Sequence, residues 1–248
     1  MGQNLPLLAA VTATFFLAGL VKGVTGMGLP TVAMGILGAL VLPVTAAGLL
    51  LMPSFVTNVW QLVAGPRLGL LVVRLWPMMV TIVVGTVAGS ELLTGGNTET
   101  TTTALGIALV VYAAYTMLAR PLSVPGRLER VVSLPVGLIT GLVTGGTGIF
   151  VIPAVPYLQS LGLDRDDLVQ ALGLSFTIST VALAIGLALN GGIHSSGWLA
   201  SILLVVPALA GMAVGKMIRT RISPLVFRRL FLLFLLVLGL ELALRPLF

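Results

Sequence analysis

The chain has 248 residues, of which 58% are hydrophobic and only 8% are charged, and its mean hydropathy is +1.16. A soluble domain carries about 25% charged residues, so the charges here cannot form a water-facing surface around a core of this size. The composition excludes a soluble protein and predicts one integral membrane domain. The net charge of +6 does not indicate nucleic-acid binding, because the basic residues flank apolar runs as they do at cytoplasmic membrane ends.

The residue types also limit the chemistry. Cysteine is absent and His194 is the single histidine, which excludes disulfides, thiolate ligands and a histidine metal cluster. We therefore expect no cofactor and no metal site. The N-terminus lacks the basic region of a secretory signal, so its apolar segment is expected to be retained.

Eight apolar runs follow one another along the chain. Six have a length that can span a bilayer as one helix. They are Pro43–Ala64, Leu68–Glu91, Thr98–Leu118, Leu168–Leu189, Trp198–Met217 and Leu225–Leu244. The other two, Leu5–Leu42 and Val131–Leu163, are too long; the first would extend about 57 Å as a helix. Each has glycines near its middle, which predicts two short helices meeting at a break, and hence about ten membrane segments in all.

The two glycine clusters are nearly identical in sequence. Gly19–Gly26 reads GLVKGVTG and Gly141–Gly148 reads GLVTGGTG, six identical positions of eight at an offset of 122 residues (141 − 19). A doubled glycine break in so apolar a chain is typical of transporters built from two related halves, whose site lies where the helices are broken. We predict an all-α polytopic fold with repeats at residues 1–122 and 123–248, which together form one membrane domain.

Loop charges predict that the two repeats are inverted. The loops around Arg67, Arg127 and Lys216 are basic and are expected to be cytoplasmic, whereas the loops at residues 91–99 and 190–197 have no cation. The three full spans of one half then run opposite to those of the other, and both termini lie outside.

Small residues recur in matching places of the two halves. Gly85 and Gly89 in the first half match Gly211 and Gly215 in the second, at an offset of 126 residues (211 − 85). These small-xxx-small patterns predict close helix packing rather than a ligand site.

The glycine breaks are the candidate ligand site. Thr25 with Gly26, and Thr147 with Gly148, are expected to begin half-helices near the bilayer centre. A helix N-terminus has free N–H groups and about half a positive charge, so two such ends facing each other suit a small, highly charged anion. The alternative is that the glycines only let broken helices pack.

Polar side chains near the breaks complete this site. Lys22 is the one cation deep in an apolar run, and it either serves function or snorkels to an interface. Asn58 and Gln61 share a helix face in the first half, and Ser175 and Ser179 share one in the second; they can orient ligand oxygens or join helices. The predicted substrate-binding residues are Lys22, Gly23, Thr25, Gly26, Asn58, Gln61, Gly145, Gly146, Thr147, Gly148, Gln170 and Ser175.

The remaining charges have a simpler interpretation. Arg74, Glu91, Lys216 and Glu241 lie near segment ends, where long side chains reach water. The acidic residues at positions 164, 166 and 167 are expected to cap a helix in a solvated loop.

The segments GLVKGVTGMGLP and GLVTGGTGIFVIP resemble the glycine-rich signature of the sulfite exporter TauE/SafE family. That family is similarly apolar, duplicated and sized, and the resemblance covers essentially the whole chain. Met27, between Gly26 and Gly28, departs from the run of adjacent glycines that many members have there. The resemblance implies a multi-pass transporter of sulfur-containing anions in the bacterial plasma membrane.

These observations predict a secondary transporter, an exporter, of small oxyanions such as sulfite or organosulfonates. The anion would bind near the midplane between two half-helix N-termini and move by alternating access. An anion channel, which needs a continuous polar lining, and an intramembrane enzyme, which needs a nucleophile and base, stay open as alternatives. Expected partners are the anion and the bilayer, with a coupling ion (proton or sodium) and a homodimer left open, and no nucleic acid.

Overall fold

The computed structural model describes residues 5–118, 123–192, 195–219, 221 and 223–245, and the regular secondary structure of this part of the chain is all helical. Arg120, His194 and the predicted repeat boundary at residue 122 lie outside the described residues. The helices are α1 Leu5–Thr25, α2 Leu29–Leu40, α3 Pro43–Val63, α4 Leu68–Gly95, α5 Thr98–Leu118, α6 Gly126–Thr147, α7 Ala154–Ser160, α8 Arg165–Leu189, α9 Ser195–Leu203, α10 Val205–Ile218 and α11 Pro224–Leu244.

Both overlong runs are broken at their glycines, as predicted. The first piece of each pair is nevertheless a full-length helix, since α1 has 21 residues and α6 has 22, or about 31 to 33 Å at 1.5 Å per residue. The second pieces are short, at 12 residues in α2 and seven in α7. The prediction of two short helices is therefore wrong for the first member, because most of the glycines stay helical and the chain turns only after them.

Five of the six predicted full spans are single helices. The remaining one, Trp198–Met217, is divided at Leu204 into α9 and α10. Pro207 lies just after this point and has no N–H to donate to the carbonyl of Leu203. Seven segments are long and apolar enough to cross a membrane, namely α1, α3, α4, α5, α6, α8 and Gly197–Ile218. The described chain is therefore that of a polytopic membrane protein, in which α2 is a shorter apolar helix and α11 has 21 residues.

The helix pairing follows a two-fold pattern. The main packing pairs are α1 with α10, α6 with α4, α3 with α8 and α5 with α11. By order along the chain, α1 of the first half corresponds to α6 of the second, and α4 corresponds to α9 and α10. The α1–α10 pair of one half is therefore the counterpart of the α6–α4 pair of the other. The last two pairs join a helix to its own counterpart. Two halves related by a two-fold axis pack in this way, and the inversion of the halves across the membrane stays a prediction.

Apolar side chains cover the outside as well as the core. Phe15, Phe150 and Phe176 are almost completely buried between the helices, whereas Leu70 and Val206 are each 70% exposed. An exterior with this many large apolar side chains suits lipid rather than water.

The inverted arrangement can be tested with single cysteines, since the natural chain has none. Gly95 ends α4 and Gly126 begins α6, and a side chain at either position would meet open space. We expect Gly95→Cys and Gly126→Cys to react with a membrane-impermeant maleimide from opposite sides of the membrane. Reaction of both from the same side would overturn the predicted topology.

Candidate functional site

The two glycine breaks share one local geometry. The threonine hydroxyl donates to the carbonyl four residues earlier, at 2.9 Å for Thr25 and 2.6 Å for Thr147. The same oxygen accepts the N–H of the residue two positions later, at 3.3 Å in both breaks. The glycine directly after each threonine takes a left-handed conformation, with φ +81° at Gly26 and +72° at Gly148. This conformation favours glycine, so both breaks need it at this position.

The threonines end helices rather than beginning them. Thr25 is the last residue of α1 and Thr147 the last of α6, while the following helices start at Leu29 and Ala154. A threonine hydroxyl can bond the preceding turn instead of capping a new one, and it does so here. The prediction of half-helix N-termini at these threonines is therefore wrong. The helix ends found there are carbonyl ends, which carry partial negative charge.

Lys22 lies in the last turn of α1, is only 4% exposed and is bonded inside the protein. Its ammonium donates to Thr57 Oγ1 at 3.1 Å and to Asn58 Oδ1, both on α3. In the described part of the chain, no carboxylate pairs with it. The snorkelling alternative is therefore excluded, and the amino group of Lys22 is buried among neutral oxygens.

Asn58 connects this lysine to the second half. Its Nδ2 donates to Thr180 Oγ1 on α8 at 3.4 Å. The two residues are 122 positions apart, the same offset as the breaks (180 − 58). Equivalent residues of two halves can touch only close to the axis that relates them. Under the predicted two-fold relation of the halves, the chain of hydrogen bonds from Lys22 through Asn58 to Thr180 passes close to that axis.

The two predicted glutamines make mainly structural bonds. Gln61 Nε2 donates to the carbonyls of Gly26 at 3.1 Å and Val169 at 2.9 Å, which ties the first break to α8. Gln170 Nε2 donates to two carbonyls at the end of α3, both at 2.8 Å, and its Oε1 accepts the Arg67 N–H at 2.9 Å. Backbone groups thus engage both ends of the Gln170 amide, which joins α8 to the α3–α4 loop.

The predicted glycines occupy close contacts between helices. A methyl group at Gly23 would overlap the carbonyl oxygen of Met212 on α10, and one at Gly145 would overlap that of Thr86 on α4. Gly146 faces the Leu92 side chain on α4. The glycines of α4 and α10 that were predicted to pack closely lie at the same crossings. The structure therefore places these three residues in packing interfaces around the site.

Several buried hydroxyls have no hydrogen-bond partner in the described chain. They are those of Thr31, Ser54, Thr86, Ser175 and Ser179. Ser54 lies one turn before Asn58 on α3, and Ser175 and Ser179 lie one turn apart on α8, next to Thr180. A buried hydroxyl without a partner costs about 1 to 3 kcal/mol, so these groups are candidates for binding a ligand or water.

Two arginines form ion pairs that join the halves at one face of the protein. Arg74 on α4 binds Glu129 on α6 through two hydrogen bonds of 2.7 and 2.8 Å. Arg67 Nη1 donates to Asp167 Oδ2 on α8 at 2.9 Å. The Arg74 side chain is 40% exposed at this face, in agreement with the predicted position near a segment end, and it pairs with Glu129 as well. The predicted helix cap is incomplete, since Asp164 precedes α8 without a side-chain cap bond.

A cavity of about 410 Å³ opens at the opposite face. Its lining includes Leu42 before α3, Thr94 near the end of α4, and Asn190 and Gly192 after α8. The ion-paired face contains Arg67, Arg130 and other residues of the basic loops, whereas this face contains the loops without cations. The structure thus separates the two classes of loop as the charge rule expects.

Sequence reasoning missed part of this site. Thr57, Thr180 and Glu129 are not among the predicted site residues. The available signal was Arg74, since a cation within an apolar run needs either water or a counter-charge. The carboxylate that pairs with Arg74 is determined by the packing of α4 against α6, and no local sequence pattern reveals that packing.

Comparison with known proteins gives one match. The family model described as Sulfite exporter TauE/SafE matches residues 11–242, nearly the whole chain. Neither the curated proteins nor the solved structures gave a match. The matched range includes both glycine breaks, Lys22 and the ion pairs between the halves.

The glycine crossings give a stability prediction. Gly145→Ala should lower the free energy of unfolding by about 1 to 3 kcal/mol, because the added methyl must push α6 away from the backbone of α4. Gly69→Ala is the matched control, since its methyl would meet open space. Chemical denaturation in detergent measures both, and equal stability of the two variants would contradict the crossing.

Proposed function

Since the chain belongs to the sulfite exporter TauE/SafE family, we propose that it is a secondary transporter of small oxyanions such as sulfite or organosulfonates. We place it in the bacterial inner membrane, and the family description supports outward transport. One observation carries the choice of an anion, namely the buried ammonium of Lys22 with its neutral partners Thr57 and Asn58.

The energetic argument concerns an unbalanced charge. Taking an ammonium out of water costs several kcal/mol, and neutral hydrogen-bond partners replace only part of its hydration. Lys22 has no carboxylate partner in the described chain, so an anion that enters the site can complete the balance. A positively charged Lys22 would then select a negatively charged ligand. The two facing helix N-termini that the sequence predicted are not needed for this preference.

The surrounding donors suit an oxyanion. The free hydroxyls of Ser54 on α3 and Ser175 on α8 belong to the two helices that meet at Asn58 and Thr180. A sulfite or sulfonate group has three oxygens, each of which can accept from a hydroxyl or an ammonium. Preference for sulfur over other small oxyanions is supported by the family alone.

The two faces of the protein support alternating access. The Arg74–Glu129 and Arg67–Asp167 pairs join the halves at one face, and the cavity of about 410 Å³ opens at the other. A cavity of about 490 Å³ also lies beside the ion pairs, so in this proposal the pairs themselves close the predicted cytoplasmic face. Rocking of the halves would break the ion pairs and close the cavity of about 410 Å³.

Family membership favours a carrier over an enzyme, and the ion pairs between the halves favour it over an open channel. Measurement of substrate flux into liposomes distinguishes a carrier from a channel. A carrier should saturate with rising substrate concentration, whereas flux through a channel should keep rising almost linearly.

The central test changes the charge at Lys22. Lys22→Gln should weaken binding of sulfite or a short sulfonate by about 2 kcal/mol or more, which is about 30-fold in Kd. Lys216→Gln is the control, because this lysine is exposed on α10. Calorimetry on the purified protein measures both, and unchanged affinity in Lys22→Gln would remove the basis for an anion.

A second variant separates charge from structure. Asn58→Asp places a carboxylate beside the ammonium and supplies the missing counter-charge inside the protein. We expect this variant to keep or gain thermal stability while losing anion affinity by a similar factor. Normal anion binding by a stable Asn58→Asp protein would show that Lys22 is not balanced by the substrate.

The ion pair at the closed face can be tested by accessibility. Leu71 is only 3% exposed and lines the cavity beside Arg74 and Glu129, so Leu71→Cys should react slowly from the predicted cytoplasmic side. Adding Glu129→Gln should raise that rate about tenfold or more, because a charged hydrogen bond contributes about 1.5 kcal/mol. Adding Glu99→Gln instead, on α5, should leave the rate unchanged, and an equal effect of both would contradict the gate.

A further inference from the structure

The second half repeats the surroundings of Lys22 without repeating its charge. We propose that a monovalent cation, sodium, binds at the carbonyl end of α6 beside Thr144 and Ser179, where it replaces the ammonium of the first half. The inference rests on the proposed function in one respect, because the bound cation is taken to raise the affinity for the transported anion.

The equivalence of the two places is geometric. The residue after the terminal threonine donates its N–H to the carbonyl of Lys22 in α1 and of Thr144 in α6, at 2.8 Å in both cases. The offset is again 122 residues (144 − 22). The hydroxyl bonds of Thr25 and Thr147 match as well. Thr144 thus occupies in α6 the position that Lys22 occupies in α1.

The helix ends differ in charge. The carbonyl end of an α-helix carries about half a negative charge, which a cation in the last turn offsets. The last turn of α1 contains Lys22, whereas the last turn of α6 contains no basic residue. Both helices are full length, and in their last turns Lys22 is 4% exposed and Thr144 is 0% exposed. The end of α6 therefore has the same need for a cation as α1 and no side chain to meet it.

The second half has an unpaired hydroxyl at the position equivalent to Thr57. Lys22 donates to Thr57 and Asn58, whose equivalents in the second half are Ser179 and Thr180. Ser179 Oγ is completely buried and makes no hydrogen bond in the described chain. It lies on α8, which packs against α6. The oxygen that would accept the cation is thus present and free.

The chemistry of these groups selects the kind of ion. The ligands available are hydroxyl and carbonyl oxygens, which suit hard cations, and unwound or terminal helix carbonyls bind sodium in other transporters built from two halves. In the described chain no group of His, Cys, Asp or Glu could hold a metal ion, which argues against a divalent ion. With one sodium, a doubly charged oxyanion such as sulfite keeps a net negative charge and an inside-negative potential favours its exit, whereas a singly charged sulfonate becomes neutral and its movement is independent of the potential.

The test measures anion binding with and without sodium. Calorimetry with ethanesulfonate as its choline salt is run in sodium gluconate and in choline gluconate at equal ionic strength. Sodium should raise the affinity about tenfold, within the usual range of coupling between two sites. Ser179→Ala should lose this response and keep the affinity seen in choline. Thr144→Lys should show the high affinity in choline and no response to sodium, because it supplies the charge itself.

The outcomes separate the two proposals. Equal anion affinity in sodium and choline, or a response to pH alone, would overturn the sodium site and leave the anion transporter standing. If no anion binds in either medium, the midpoint temperature of thermal unfolding, measured with and without sodium, tests the cation site on its own. A rise in midpoint with sodium that is absent in Ser179→Ala would keep the cation site and reject the anion, and no rise would reject both.

Discussion

The close crossings of α1 on α10 and of α6 on α4 position the rest of the structure. Lipid gives helices no hydrophobic reason to associate, so contact between backbones must supply the attraction, and only glycine permits it at these crossings. The same crossings hold the last turns of α1 and α6 in the interior. Lys22 therefore cannot turn outward to an interface, and its ammonium has to be satisfied by α3.

A duplicated fold with one lysine is chemically asymmetric. Thr57 and Asn58 meet an ammonium, whereas Ser179 and Thr180 occupy the equivalent positions in the second half. Because Thr144 stands where the first half has Lys22, a fixed charge lies on one side of the centre and a neutral polar site on the other.

The large features could be predicted from the sequence because they depend on composition and offsets. The breaks at Gly26 and Gly148, the close packing of the glycines and the separation of basic from uncharged loops follow from such patterns. The direction in which each threonine bonds could not, since Thr25 and Thr147 have the same sequence context whether they cap a new helix or end an old one. The Arg74–Glu129 pair also stayed hidden, because it depends on how α4 packs against α6.

The bond between Asn58 and Thr180 connects these features to motion. In the alternating-access movement proposed above, the ion pairs at the face of Arg67 and Arg74 would separate, whereas a bond close to the centre would be stretched less. Asn58 can thus hold Lys22 in place throughout the movement. The gate can open at the periphery while the charge that selects the ligand stays fixed, which a carrier needs if both faces are to present the same site.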